Sequence, residues 1–166
     1  MKYLHVSVGI FIALATSRFV PHPPNFTSII ALTFYIPALI GIRYLPALLV
    51  SFILTDFIIG FHGITLFTWG SVIFIGLASK LFISTIYTRI SGALLGACLF
   101  FLVTNFGVWS LGSYGYTTEG LLICYTVAIP FFVYSLISTF IFSGIIEGLY
   151  KFKIKNLIYK YSINLN

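Results

Sequence analysis

Apolar residues fill this chain in long blocks, and prolines, glycines and charged residues mark the ends of those blocks. A helix needs about 20 apolar residues to cross the hydrocarbon core of a bilayer, with a range of about 17 to 25. The first block runs from Tyr3 to Val20 and stops at Pro21-His22-Pro23-Pro24, where missing backbone donors forbid a helix. The second runs from Phe26 to Ile42, with a kink expected at Pro37, and Arg43-Tyr44-Leu45-Pro46 is a tight connection. The third, Ala47 to Ile59, carries Asp56 near its end and leads into the turn Gly60-Phe61-His62-Gly63. The fourth runs from Phe67 to Tyr87 and contains Lys80, with Thr88-Arg89 as the next turn. The fifth runs from Ile90 to Trp109, and a loop rich in Gly, Ser and Tyr follows from Ser110 to Thr118.

The last block, Gly120 to Tyr150, is too long for one upright span, and Pro130 divides it. Either one long tilted helix kinks there, or a short interfacial piece precedes the final span. The pattern therefore predicts an all-α integral membrane protein, a six-transmembrane-helix bundle, with seven segments as the alternative. Residues 1–150 form its single transmembrane domain and residues 151–166 a basic tail.

Composition sharpens this picture. Hydrophobic residues make up 60% of the chain and charged residues 7%, and the mean hydropathy is +1.09. A soluble domain carries about 25% charged residues, so that class is excluded. The 166 residues fill one membrane domain and leave no room for a second. The net charge of +6 does not signal nucleic-acid binding. Lys151, Lys153, Lys155 and Lys160 crowd the C-terminus, where a basic tail beside anionic lipid is the simpler explanation. Cys98 and Cys124 lie in apolar runs without metal-type spacing and read as packing residues. Lys2, the apolar stretch behind it and Ala13-Leu14-Ala15 imitate a signal peptide. A first transmembrane helix explains them equally well, since further apolar segments follow, and we read them that way.

Lys and Arg in short loops set orientation. With both termini inside, the cytoplasmic connections hold Lys2, Arg43, Arg89 and the four tail lysines, and the opposite loops hold Arg18: seven against one. On that topology Arg18, His22, Asn25, Asp56, His62, Asn105, Trp109 and Glu119 all fall near the outer face of a cytoplasmic (inner) membrane, which suggests a shared site.

Each of these residues also has a structural reading. Arg18 can snorkel and Trp109 can join an aromatic belt. Asn25 can cap the second helix, and Glu119 can sit favourably at a helix N-terminus. Asp56 resists such treatment, because a carboxylate among Phe52, Ile53, Ile58 and Ile59 needs a partner, a proton or water. Arg18 is the available outer-side cation, so the two are expected to pair. Asn105 and Trp109, at i and i+4, share one helix face. Lys80 belongs to the inner half and receives no site role.

Gly9, Ala13 and Ser17 form a small-residue stripe on the first helix, and Gly92 and Gly96 begin one on the fifth. Such stripes let helix backbones approach closely. Internal packing explains them, whereas an exposed stripe on the first helix would mark a partner-binding face. No Gly-x-Ser-x-Gly, His-Glu-x-x-His or P-loop is present, so the chain is expected to be no enzyme and cannot itself couple transport to ATP hydrolysis. His22, His62, Asp56 and Glu119 have metal-ligand chemistry, but their spacing demands no metal. No metal and no cofactor are expected.

Four segments carry a resemblance: Arg18-Phe-Val-Pro-His-Pro-Pro-Asn-Phe-Thr27, Ser51 through Asp56 to Gly60, Phe100-Phe-Leu-Val-Thr-Asn-Phe-Gly-Val-Trp109, and Glu119-Gly-Leu-Leu-Ile-Cys-Tyr125 with Ala128-Ile-Pro-Phe-Phe132. They resemble a bacterial family of small transport-type proteins of unknown substrate. That family is in turn similar in size, span number and layout to the substrate-binding S components of energy-coupling-factor (ECF) vitamin transporters. The resemblance implies a vitamin-like small molecule bound near the outer face. It also implies docking, through small residues of the first helix, onto a transmembrane coupling subunit driven by ATPases. Gly9, Ala13 and Ser17 would match that docking face. Under this expectation Arg18 and Asp56 set polarity, Asn105 hydrogen-bonds the ligand, and Trp109, Tyr114 and Tyr116 stack on or cover it. His22, Asn25, His62 and Glu119 complete the lining. The alternatives are an accessory membrane protein without a ligand, and a membrane enzyme using His22, His62 and Asp56.

Overall fold

The computed structural model describes residues 2–163, with side-chain surroundings for 3–153. Among the described residues every regular element is helical. Helix α1 spans Lys2–Phe19 and α2 spans Ile29–Tyr35. A π-helical turn, Ile36–Ile40, and a 3-10 turn, Ile42–Tyr44, lead into α3, Leu45–Ile59. Helix α4 spans Thr65–Ala78 and ends in a 3-10 turn, Ser79–Phe82. Helices α5, Ile86–Ser110, and α6, Thr118–Ile163, complete the chain. Four stretches are long and apolar enough to cross a membrane: Ile42–Ile59, Thr65–Phe82, Ile86–Ser110 and Thr118–Lys153. Tyr3–Phe19 and Ile29–Ile40 are apolar but shorter.

Several boundaries differ from the sequence expectation, each for a local reason. Asn25 does not cap α2. It adopts a left-handed backbone (φ 62°), and Ser28 occupies the N-cap position. The second block does not stay α-helical, because Pro37 sits in the π-helical turn that follows Tyr35. Thr88 and Arg89 are not a turn but lie in the first turns of α5. Thr85 caps that helix, and its side chain and that of Thr88 satisfy each other's backbone amides in a capping box. The last block is one helix with Pro130 inside it, and it continues through the expected tail as far as Ile163. The side chains of Lys155 and Lys160 lie outside the described surroundings.

The short α2 is the central element. Ile29, Ile30, Phe34 and Tyr35 are buried there, against α3, α4, α5 and α6. Helix α1 packs mainly on α3, and α5 lies antiparallel against α6. Two glycines of α5 let it approach α2 and α4 closely. A Cβ at Gly92 would sit 2.7 Å from the Phe34 ring, and one at Gly107 would sit 2.6 Å from the Phe67 ring. Gly96 likewise faces Ile75. The small residues of α5 therefore serve internal packing. On α1, Gly9 meets nothing within 4 Å and Ala13 is exposed, whereas Ser17 hydrogen-bonds Ser28 across the helix pair at 2.6 Å. The stripe is thus open at two of its three positions.

Candidate ligand cavity and its polar lining

At one end of the bundle the C-terminal turns of α1, α3 and α5 meet the loops 20–28 and 60–64. They surround a cavity of about 410 Å³. Arg18, His22, Asn25, His62 and Asn105 line it together. Asn25 and His62 are exposed at its mouth. The lining also includes Thr27, Thr68, Thr104 and Ser135, with Phe100, Phe101, Phe131 and Phe132 as apolar walls. Its size falls within the range of about 300–1,000 Å³ typical of small-molecule pockets. Phe101 and Phe132 stack with centroids 4.4 Å apart, which fixes the α5–α6 wall.

Arg18 and Asp56 pair as expected, with Nη2 2.7 Å from Oδ1. Asp56 does not line the cavity, however. It is 2% exposed and stands behind Arg18, where Trp69 Nε1 donates to its Oδ2 at 2.8 Å. Arg18 Nη1 donates to Thr55 Oγ1 at 2.6 Å, and the guanidinium lies 4.6 Å from the Phe52 ring centroid. The carboxylate therefore aims Arg18 into the cavity wall rather than meeting a ligand itself. Trp69 and Thr55 were not expected from the sequence. The only signal for Trp69 is its place one helix further on, 13 residues from Asp56, where the α3–α4 turn brings it back.

Asn105 donates from Nδ2 to the Phe101 carbonyl at 2.8 Å. That bond leaves its Oδ1 as the acceptor for the cavity. His22 donates from Nδ1 to the Pro23 carbonyl at 2.7 Å, so a neutral His22 ring keeps Nε2 as an acceptor.

The aromatic loop expected over the ligand lies elsewhere. Trp109, Tyr114, Tyr116 and Glu119 are not among the lining residues. Trp109 Nε1 donates to the Thr117 carbonyl, and its ring meets Tyr116 edge-on at 6.5 Å. Val108 takes the wall position instead. Glu119 is exposed in the first turn of α6, where a carboxylate suits the helix dipole. Among the described residues no group of three His, Cys, Asp or Glu side chains could hold a metal ion.

A second ion pair, absent from the sequence expectation, lies at the opposite end. Arg89 grips Glu147 through two bonds, Nε to Oε1 at 2.6 Å and Nη2 to Oε2 at 2.7 Å. Their side chains are 12% and 5% exposed. Glu147 has a sequence signal in retrospect: it is the sole acid between Gly120 and Lys151.

Among the described residues these features define an all-helical fold with four helices long and apolar enough to span a membrane and a polar-lined cavity at one end. The chain belongs to DUF6580, a family of unknown function, whose model matches residues 1–160. No curated protein and no solved structure matches it.

Proposed function

We propose that this protein sits in the bacterial cytoplasmic membrane and captures a small, partly polar, ring-bearing solute from the outer side, in the manner of a transport protein. The observation that supports this reading is the cavity itself. Polar residues from separate segments, Arg18, His22, Asn25, His62 and Asn105, converge on one space with phenylalanine walls. Isolated helix anchors would face lipid or headgroups and need not converge. No carboxylate lines the space, and Arg18 and two imidazoles do, which favours a neutral or anionic solute over a cation. Orientation rests on charge. Arg43, Arg89, Lys151 and Lys153 sit toward the end away from the cavity, and this excess of positive charge supports reading that end as the cytoplasmic one.

Gly9 and Ala13, open on α1, give a membrane-embedded coupling partner a face on which to dock. Ser17 is engaged with Ser28 and contributes less to that face.

Native mass spectrometry of the purified full chain, searched for a co-purified small molecule, tests the cavity. Asn105→Leu is expected to lose that molecule while the protein still inserts and stays folded. Retention of the same molecule by both Asn105→Leu and Arg18→Met would overturn the assignment.

A further inference from the structure

Below the cavity floor the buried face of α6 changes character. Ser135, Thr139, Ser143 and Glu147 follow one another at steps of four residues and are all buried, at 6%, 0%, 0% and 5% exposure. Twelve residues at about 1.5 Å each carry this row about 18 Å. It starts at Ser135 in the cavity lining and ends at the Arg89–Glu147 pair.

Serine and threonine in an apolar helix ordinarily return their hydroxyl to a carbonyl of the preceding turn. Ser51, Ser71, Thr104, Thr126 and Ser135 all do so. Thr139 and Ser143 do not, and neither hydroxyl makes a hydrogen bond of good geometry within the protein. The Tyr35 hydroxyl, on α2 and facing Ser143 and Glu147, has no hydrogen bond of good geometry either. Three buried hydroxyls, Thr139 without a partner and Ser143 and Tyr35 with only loosely aligned ones, make poor packing between a cavity and an ion pair, since each forgoes bonds that water would give it. Water admitted between the helices would satisfy them. Both helices can flex there, because the π-helical turn with Pro37 follows Tyr35 and Pro130 lies one turn above Ser135.

We propose that the bundle contains its own translocation route. It runs along α6 from the cavity floor past Thr139 and Ser143, and the Arg89–Glu147 pair with Tyr35 closes it as the inner gate. Its occupants are water and the polar solute held in the cavity, so the proposal rests on the uptake reading above. A chain with such a route moves its solute through its own helices.

Cysteine accessibility tests this without a ligand. With Cys98 and Cys124 replaced by Ala, single variants Thr139→Cys and Ser143→Cys are treated with a membrane-impermeant methanethiosulfonate in inside-out vesicles. Phe140→Cys, on the exposed face of the same helix, is the control. Both row variants are expected to react from the cytoplasmic side, and Phe140→Cys to stay inert. Opening the gate with Arg89→Gln/Glu147→Gln, which removes both charges and orphans neither, is expected to raise the rate about tenfold, the equivalent of 1.4 kcal/mol of weakened closure. Row cysteines as inert as Phe140→Cys, in both the native and the double-Gln background, would overturn the route and mark the row as packing. Failure of the solute assay with labelling intact removes the uptake reading and leaves the route. Labelling lost with solute retained does the reverse.

Discussion

Arg18 and Asp56 meet at 2.7 Å where the carboxylate is almost sealed from water. Removing one member of such a pair leaves an uncompensated buried charge, at a cost of about 3–5 kcal/mol, whereas replacing both by apolar groups is often close to neutral. Arg18→Met alone should therefore lower the unfolding midpoint in detergent far more than Arg18→Met/Asp56→Leu does. A double variant no more stable than the single one would deny that the charges act as a pair. Trp69→Phe removes the indole donor to Asp56 and should cost about 1.5–3 kcal/mol, as bonds to charged groups do. Asp56 was legible in the sequence because an acid in an apolar helix needs a partner and Arg18 was the cation at that end. Its role was not. Only the position of Trp69, supplied by the next helix, shows that the carboxylate faces inward to position Arg18 and leaves the cavity to others.

At the scale of elements, the apolar blocks gave six helical segments with short connections, and the six α-helices follow them. The ends moved where local hydrogen bonding outweighed hydropathy. Thr85 and Thr88 start α5 earlier than the charge of Arg89 suggested, and Pro37 widens the end of α2 into a π-helical turn. Pro130 does not divide α6, since a proline removes one helical bond and the helix continues on both sides of it. The glycines separate two kinds of close packing. Gly92→Ala places a methyl 2.7 Å from the Phe34 ring and should destabilise the bundle by about 1–3 kcal/mol. Gly9→Ala meets open space and should change stability by no more than about 0.5 kcal/mol. Thermal unfolding of the two variants side by side checks this. A loss of copurifying partner in Gly9→Ala, with stability unchanged, would point to docking on α1.

Over the whole molecule, cavity and ion pair lie at opposite ends of the same antiparallel helix pair. Asn105 and Arg89 bracket α5, and Ser135 and Glu147 bracket the lower part of α6. That Arg18, His22, Asn25, His62 and Asn105 share one end of the bundle was readable from sequence because loops fix depth. The aromatic loop was misplaced because Asn105 and Trp109 share a helix face only on average: Asn105 looks inward, while Trp109 turns to Thr117 and Tyr116. The second pair escaped notice because Glu147 lies 58 residues from Arg89, a separation that only the α5–α6 packing closes. With the cavity end outward, His62→Cys should react with an impermeant thiol reagent in intact cells; reaction only after the membrane is opened would invert the orientation.

The two ion pairs have an electrical consequence. Each joins one arginine to one carboxylate, so among the described residues the buried charges cancel. Moving an elementary charge through a membrane voltage takes about 2.3 kcal/mol per 100 mV. If each pair travels as a unit, or parts with its members at the same depth, the bundle can change shape without working against that voltage. On the proposed uptake reading, any dependence on membrane voltage would then report the charge of the solute and not of the protein.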